Sequence, residues 1–577
     1  MNFRPAFLVA GLAGATLALA MTKVSAESAP PTAVDQGANW TKTAREDFYS
    51  RDQGSRLIPW RWIAGLKQPN GEPFMAASLG RYGYLPNEAS SPPGLPVGFV
   101  VANEKGVETL GLTCSACHSR QIEVGGKPYR IDGGPAIADL YSFWIDLDAA
   151  VNRVLTDRAV FADFAQTALG ASPPPNKEAA LREAVEDWFK PHHAITELGF
   201  PKCTPWGPAR MDAVGMILNR LTGLDIGPPP SYMIPENIKP ADAPVRPPFL
   251  WNASRQDFTQ WPGFADNGDK ILALARNLGE VYGVFGVFRP KKDESRPLKF
   301  AYLNDNSANF QGLDALEDLI ENLGPPIWPW PVDRALAAVG KTIYEQKGGC
   351  ADCHGIKPGK PRLLNKDTWA TPIKDVGTDS REYSILARTV KTGTLEGAQI
   401  PIITEPLKPI DLGANVLGTA VKGSVLQHLF SGVLNTKELG QVDVALQQLA
   451  PKIQAMKGAG TTYMAPEAAA AAPPSIKYES RVLEGIWAAA PYLHNGSVPT
   501  LAELLKPAAE RVAAFKIGPA YDIVNVGLAV DQTKFNFTLK TTDCSNRNSG
   551  NSRCGHEFGT TLSPEEKKAL LEYLKIL

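Results

Sequence analysis

Strongly basic stretches, long apolar runs and clear strand patterns are all scarce in this sequence. The 59 lysines and arginines are balanced by 60 acidic residues and are dispersed, so no basic stripe is available for a phosphate backbone. We therefore expect no nucleic-acid partner. The chain has 577 residues, of which 44% are hydrophobic, so it is globular and long enough for two or more cores.

A transmembrane segment is also lacking after residue 26, so we expect no membrane span in the mature protein. The N-terminus has the pattern of a signal peptide: Arg4 precedes the apolar stretch Ala6–Met21, and Val24 and Ala26 precede a cleavage position. The apolar stretch is shorter than a membrane span requires, so cleavage after Ala26 is favoured over an uncleaved anchor. We expect a periplasmic or secreted protein.

Cysteine is sparse, and four of the seven residues lie in two C-x-x-C-H motifs. In this motif two thiols add to the vinyl groups of one haem while the histidine binds its iron. A zinc site or a thioredoxin-like redox pair would need a second nearby Cys/His pair or a βαβ context, and the sequence offers neither. We therefore predict two covalently bound c-type haems. The two motifs are Cys114/Cys117/His118 and Cys350/Cys353/His354.

The other cysteines are Cys203, Cys544 and Cys554. Cys544 and Cys554 bracket a loop rich in Ser, Asn and Gly, and an oxidising compartment would allow them to pair. We predict a disulfide between them and a single thiol at Cys203. Three unpaired buried cysteines are the alternative.

The second axial ligand of each iron decides what a haem does, because a strong ligand favours electron transfer and an open position can bind oxygen or peroxide. Methionine is one candidate, at Met456 or Met464 downstream of the second motif. The histidines outside the motifs are His192, His193, His428, His494 and His556.

The predicted fold is mostly α, with two cytochrome c-type haem domains, long loop-rich insertions and few short strands. Helical periodicity predicts helices over residues 138–155, 177–190 and 266–288, and before the second motif. The prolines of residues 227–248 predict a long connection, and Ala465–Ser475 is a low-complexity loop. The predicted divisions are 1–26, a signal peptide; 27–331, an N-terminal haem domain; and 332–577, a C-terminal cytochrome c domain.

Four segments carry a family resemblance. They are GIWAAAPYLHNGSVPTLAELL (Gly485–Leu505), WGPARMDAVG (Trp206–Gly215), DFTQWPGFADN with ARNLGEVYGV, and the C-terminal CGHEFGTTLSPEEKKALLEYLKIL. With the two C-x-x-C-H motifs, the chain resembles the dihaem cytochrome c peroxidase superfamily, and within it the branch of the dihaem rubber oxygenase and related bacterial fatty-acid dioxygenases. The resemblance spans about the whole mature chain.

The resemblance implies unequal haems. His118 would be the sole protein ligand of the N-terminal haem, whose other face binds dioxygen. His354 and His556 would be the axial ligands of the C-terminal haem, which relays electrons. Trp261 would be a relay or pocket aromatic between or beside the haems, with a packed core aromatic as an equal alternative and Trp144 as a weaker rival.

Two further residues are implied near the haem propionates. His494 would be such a neighbour, with axial ligation in place of His556 and a structural hydrogen bond as alternatives. Arg210 would pair with a propionate, since a guanidinium matches a carboxylate, with a surface ion pair as the alternative. Peroxidases of this superfamily have a Met or Tyr ligand about fourteen residues after the PYxHxG pattern. This chain has KPAAERV (Lys506–Val512) there, which favours His556.

The leading functional hypothesis is a dioxygenase that acts on an unsaturated hydrophobic substrate, a fatty acid or polyisoprenoid, at the N-terminal haem. Aromatic stretches at Phe258–Phe264 and Tyr282–Phe288 would line its channel. One alternative is a peroxidase that reduces hydrogen peroxide with electrons from a small redox protein; it needs a distal carboxylate or amide, and none stands out. The other is a non-catalytic dihaem electron carrier.

Overall fold

The computed structural model describes residues 30–202, 204–362, 367–401, 403–430 and 476–577. The predicted signal peptide, Cys203, Met456, Met464 and the loop Ala465–Ser475 lie outside these ranges, and their predicted roles are unchanged. In the part of the chain that is described, no helix is both long and apolar enough to cross a membrane.

Helices of very different length alternate with loops. They are α1 (Lys42–Ser50), α2 (Trp60–Gly65), α3 (Cys114–Cys117), α4 (Leu140–Thr156), α5 (Arg158–Leu169), α6 (Pro175–Leu198), α7 (Ala213–Arg220), α8 (Lys270–Gly283), α9 (Phe310–Asn322), α10 (Arg334–Thr342), α11 (Cys350–His354), α12 (Arg381–Leu386), α13 (Gly413–Leu429), α14 (Leu501–Leu504) and α15 (Pro564–Leu574).

The strands are short. They are β1 (Thr32–Ala33), β2 (Ile58–Pro59), β3 (Phe99–Glu104), β4 (Val107–Leu112), β5 (Ser119–Val124), β6 (Lys127–Asp132), β7 (Phe258–Thr259), β8 (Ala265–Asp266), β9 (Phe288–Lys292), β10 (Phe300–Asn306), β11 (Ile373–Lys374), β12 (Thr389–Lys391), β13 (Ile410–Leu412), β14 (Tyr478–Glu479), β15 (Ala514–Lys516), β16 (Tyr521–Asp522), β17 (Gly527–Leu528) and β18 (Thr538–Lys540). They form three-stranded sheets, β2-β4-β3 and β1-β6-β5, and two-stranded pairs.

The fold is therefore mixed and loop-rich, with more strand than the sequence predicted. The missed strands are mostly two or three residues long, too short to show an alternating pattern. The predicted helices are present as α4, α6, α8 and α10, and residues 227–248 contain only a short 3-10 turn, Pro235–Asn237. Helix α8 ends at Gly283, before the end of its predicted range.

Helix α4 begins where the Asp139 side chain accepts a hydrogen bond from the Ser142 amide. Its apolar residues recur at helical spacing, so one face, with Phe143, Trp144 and Leu147, is buried against the N-terminal core. Helices α4 and α6 pack together, and both contribute to the core cluster that contains Ala116 of the first motif.

Helices α10 and α15 pack closely and support the second motif. Gly340 allows this approach, because a Cβ there would lie 2.0 Å from the Ala569 carbonyl oxygen. One core joins residues from both sides of Pro331, including Trp251 and Trp487. The boundary at Pro331 is therefore crossed by packing, and the division into two haem domains remains a prediction.

Candidate haem sites

The first motif lies where the two three-stranded sheets meet. Helix α3 carries its cysteines between β4 and β5, and His118 follows directly. The turn is tight, because a Cβ on Gly98 would lie 2.0 Å from the Ala116 amide nitrogen. Cys114 is held by a contact of 3.3 Å between its Sγ and the Gln53 Oε1. The sheets therefore fix the spacing of the thiols and the histidine.

Both thiols and His118 face a cavity of about 1570 Å³. Most of its wall is apolar, and the large side chains in that wall are Trp144, Phe200, Trp206, Met211, Met216, Phe249, Trp261 and Phe285. The apolar wall and the motif side chains fit a porphyrin.

The surroundings of His118 are those of a metal-binding histidine. Its Nδ1 is buried and makes no hydrogen bond to the described residues. Burial lowers the pKa of His118 to about 4, against the opposing effect of the Pro248 backbone. The imidazole is therefore neutral, which is the form that binds iron. The residues of this cavity fit a covalently attached haem.

The second motif follows α10 and a turn at Gly348 and Gly349, as the sequence predicted. The Nδ1 of His354 donates a hydrogen bond of 2.7 Å to the Arg481 carbonyl oxygen. This bond orients the ring and leaves Nε2 for a metal. Cys350 and His354 line a second cavity of about 1070 Å³.

His556 lies opposite His354. Their ring centroids are 6.1 Å apart. A metal between two imidazoles needs about 2 Å for each bond to nitrogen, plus roughly 1 Å from each nitrogen to its ring centroid, so the spacing fits a shared iron. The Nδ1 of His556 is buried without a hydrogen bond to the described residues, and burial lowers the pKa of His556 to about 3.

The loop that leads to His556 contains the Cys544–Cys554 disulfide, as predicted, with Cα atoms 5.0 Å apart. Asp379 anchors the same loop, because its Oδ2 accepts a hydrogen bond of 2.9 Å from the Ser552 amide. The His556 amide donates to the Val376 carbonyl over 2.7 Å. Hydrogen bonds therefore hold the loop four residues before His556 and at His556 itself.

A thin wall separates the cavities. Arg246, Phe249, Trp261 and Arg481 line both of them. The Trp261 indole donates a hydrogen bond of 3.0 Å to the Arg246 carbonyl, and the Arg246 guanidinium lies 4.7 Å from the Trp261 ring centroid. Trp261 thus lies between the two cavities, whereas Trp144 lines only the first.

His494 and Arg210 occupy different surroundings. His494 lines the second cavity and stacks on Tyr478 with 4.0 Å between ring centroids. Arg210 is absent from the described lining of both cavities, and its three nitrogens donate to the Trp206 and Asn495 carbonyls and to the Asn551 amide oxygen.

The other candidate histidines are engaged elsewhere. The Nδ1 of His192 lies 2.6 Å from the Trp188 carbonyl, and that of His193 lies 3.0 Å from Asp148. His428 stacks on Phe310 with 4.0 Å between centroids. His556 is therefore the candidate histidine that lies opposite His354, and His192, His193 and His428 lie elsewhere in the fold.

Sequence reasoning missed the charged groups around the wall. The Arg246 Nη1 is buried without a hydrogen bond to the described residues, and the Nε of Arg481 lies 3.6 Å from the Glu479 carboxylate. Both Glu479 oxygens are buried without hydrogen bonds, and burial raises the pKa of Glu479 to about 7. Arg246 is far along the chain from Glu479 and Arg481, so no sequence pattern groups the three.

Polar groups also face the first cavity. Gln260 donates a hydrogen bond to Glu280, and burial raises the pKa of this carboxyl. Arg276 and Asn277 line the cavity from the same helix, α8. A carboxyl and an amide side chain that the sequence did not reveal therefore line this cavity. Helical spacing could have grouped Arg276, Asn277 and Glu280 on α8, whereas Gln260 lies outside that helix.

Comparisons with known proteins agree with a haem site. Residues 477–516 match the family described as RoxA-like, cytochrome c-like. The uncharacterized protein y4iJ of Sinorhizobium fredii is 29% identical to this chain over 93% of its length and 92% of the relative's. A second uncharacterized protein of that organism, y4iM, is 24% identical over 57% of this chain and 63% of its own. The matched cytochrome c-like segment contributes Tyr478, Arg481 and His494 to the second cavity.

Proposed function

We propose that this chain is a two-haem c-type oxidoreductase in which the haem at His118 reacts and the haem at His354 relays electrons. The asymmetry of the two sites carries this proposal. His354 has a second imidazole at a centroid distance of 6.1 Å, whereas His118 faces a large apolar cavity whose described wall holds no other histidine. A closed iron favours electron transfer and an open one favours reaction with oxygen or peroxide.

The reaction is a dioxygenation of an unsaturated hydrophobic substrate, a fatty acid or a polyisoprenoid. The apolar lining supports this class, because an apolar chain gains free energy on leaving water. The disulfide supports a periplasmic or secreted location.

A haem in the first cavity would supply dioxygen binding and one-electron chemistry. The residues of this chain would do the rest. His118 would hold the iron from one side, and Cys114 and Cys117 would tether the macrocycle. The aromatic wall would exclude water and orient the substrate. Trp261 would lie between the two haems. The Arg246 guanidinium, whose Nη1 makes no hydrogen bond to the described residues, would donate hydrogen bonds to a haem propionate.

Reduction of hydrogen peroxide is the second candidate, and the Gln260–Glu280 pair favours it. A carboxyl whose pKa is raised by burial holds a proton at higher pH than an exposed glutamate, as a proton donor to peroxide requires. A small redox protein would then supply electrons at the second haem.

The electron-carrier alternative needs a methionine to close the first haem. Met211 and Met216 line that cavity and are the thioethers available there among the described residues. The test is the binding of carbon monoxide and dioxygen to the purified reduced protein and to Met211→Leu and Met216→Leu variants. The proposal expects wild-type binding that neither substitution changes. Failure of the wild type to bind, with binding gained in one variant, would establish the carrier.

Substrate class is tested by product analysis with oleate, linoleate and polyisoprene under ¹⁸O₂. Incorporation of both oxygen atoms into a cleaved or hydroperoxidised product supports the dioxygenase. Turnover of hydrogen peroxide with a reduced donor, and no oxygenated product, would favour the peroxidase instead.

A further inference from the structure

Arg511 lies beneath the loop that carries His556 and is only 3% exposed. A guanidinium has five N–H donors in a rigid fork, and here each has an acceptor. All five acceptors are backbone carbonyl oxygens: Nε reaches Lys506 (3.2 Å), Nη1 reaches Arg553 (2.7 Å) and Gly555 (2.8 Å), and Nη2 reaches Leu504 (3.3 Å) and His556 (3.1 Å).

Three of these carbonyls belong to the His556 loop itself. Gly555 and His556 both have left-handed backbone, with φ of 77° and 50°. Histidine adopts this region rarely, so the surrounding bonds must hold it there. Gly555 also lies against Gly377, where a Cβ would be 2.3 Å from the carbonyl carbon. The loop has left-handed backbone at two successive residues, and the hydrogen bonds from Arg511 hold its carbonyl groups.

The remaining two carbonyls, of Leu504 and Lys506, belong to the end of α14 and the residue pair after it. Arg511 therefore joins two segments that are far apart in sequence. The carboxylates of Glu557 and Glu503 help to retain its positive charge against burial, which lowers the pKa of Arg511. Lysine could not replace it, because an ammonium has three donors and no planar fork.

We propose that Arg511 is the positioning residue for His556, and that its five hydrogen bonds keep the His556 ring opposite His354. This rests on the proposed role of His354 and His556 as the axial pair of the second haem. Without the fork, the loop would relax from its left-handed backbone and the imidazole would leave the iron for part of the time.

The experiment uses the full haem-loaded protein and the variants Arg511→Met and Arg511→Lys. Arg511→Met removes the charge and the donors, and Arg511→Lys keeps the charge. Arg553→Met is the matched control, because it removes a positive charge from the same loop while leaving the Arg553 carbonyl in place. Electron paramagnetic resonance measures the low-spin signal of the second haem, and a titration with free imidazole measures whether the iron has an open position.

We expect both Arg511 variants to lose most of the second low-spin signal and to regain it with imidazole, and Arg553→Met to keep it. Full retention in Arg511→Lys would overturn the inference that the fork holds the loop. Equal loss in Arg553→Met would also overturn it, since charge alone would explain the effect.

His556→Ala separates this inference from the proposed function. If His556→Ala keeps the second low-spin signal, the axial pair is wrong and the second site of the proposal fails. If His556→Ala loses the signal while both Arg511 variants keep it, only the positioning role of Arg511 is wrong.

Discussion

Replacing both cysteines of the Cys544–Cys554 disulfide with serine should destabilise the protein by about 2.7 kcal/mol at 25 °C. The bond closes a loop with a sequence separation of 10. In the chain-entropy description, opening a loop of that length returns about 9 cal/mol/K to the unfolded chain. The folded loop keeps its other restraints, notably the bond from the Ser552 amide to Asp379. The loss should therefore come mainly from the unfolded state.

The assay is urea unfolding of the haem-loaded protein under oxidising conditions, followed by far-ultraviolet circular dichroism. The double variant should show a lower midpoint with an unchanged slope. Wild type treated with a reducing agent is the control and should lose the same stability, while the variant should lose nothing more on reduction. Equal midpoints for oxidised and reduced wild type would refute the entropic reasoning.

Three further outcomes are expected. Substituting His556 with alanine should abolish the second low-spin haem signal in electron paramagnetic resonance, whereas His494→Ala should preserve it; the reverse result would exchange their roles. Trp261→Phe should slow electron equilibration between the haems in flash photolysis, because Trp261 lies in the shared wall, and Trp144→Phe should leave the rate unchanged; equal rates in all three proteins would remove Trp261 from the route. If the protein reduces peroxide, turnover should fall as pH rises through the raised pKa of Glu280, since the protonated carboxyl is the donor, and Glu280→Gln should remove that pH dependence; an unchanged profile would exclude Glu280.

The two cavities explain why a single wall residue matters. In the proposed function, electrons that enter at the His354 site would pass the side chains of the shared wall to reach His118. The wall also holds Arg246 and Arg481, and the buried Glu479 lies beside Arg481 in the second cavity. In the proposed function, the four residues that line both cavities would connect the reaction at one haem with electron supply from the other.

Helix positions were largely predictable, because α4, α6, α8 and α10 have apolar residues at helical spacing. The short strands were not predictable, because a strand of two residues is too short to show an alternating pattern of apolar and polar residues. The family resemblance, rather than local pattern, singled out His556 and Trp261. The polar residues of the first cavity were overlooked because Gln260 and Glu280 are unremarkable in sequence and meet only in the fold.

The sequence by itself predicted the chemistry at two places. C-x-x-C-H is the pattern that attaches a porphyrin, so Cys114, Cys117 and His118, and likewise Cys350, Cys353 and His354, could be predicted as haem-binding residues without a fold. The short loop between Cys544 and Cys554 likewise suggested their pairing.

Tertiary structure decided how the two places differ. The placement of His556 against His354 depends on a loop closed by a disulfide and bonded to Asp379, Val376 and Arg511, which are distant along the chain. The cavity at His118 is surrounded by aromatic residues from α4 and from several loops. Long-range packing and backbone hydrogen bonds, which local sequence does not encode, place a second histidine opposite His354. They place no second histidine in the described wall of the His118 cavity.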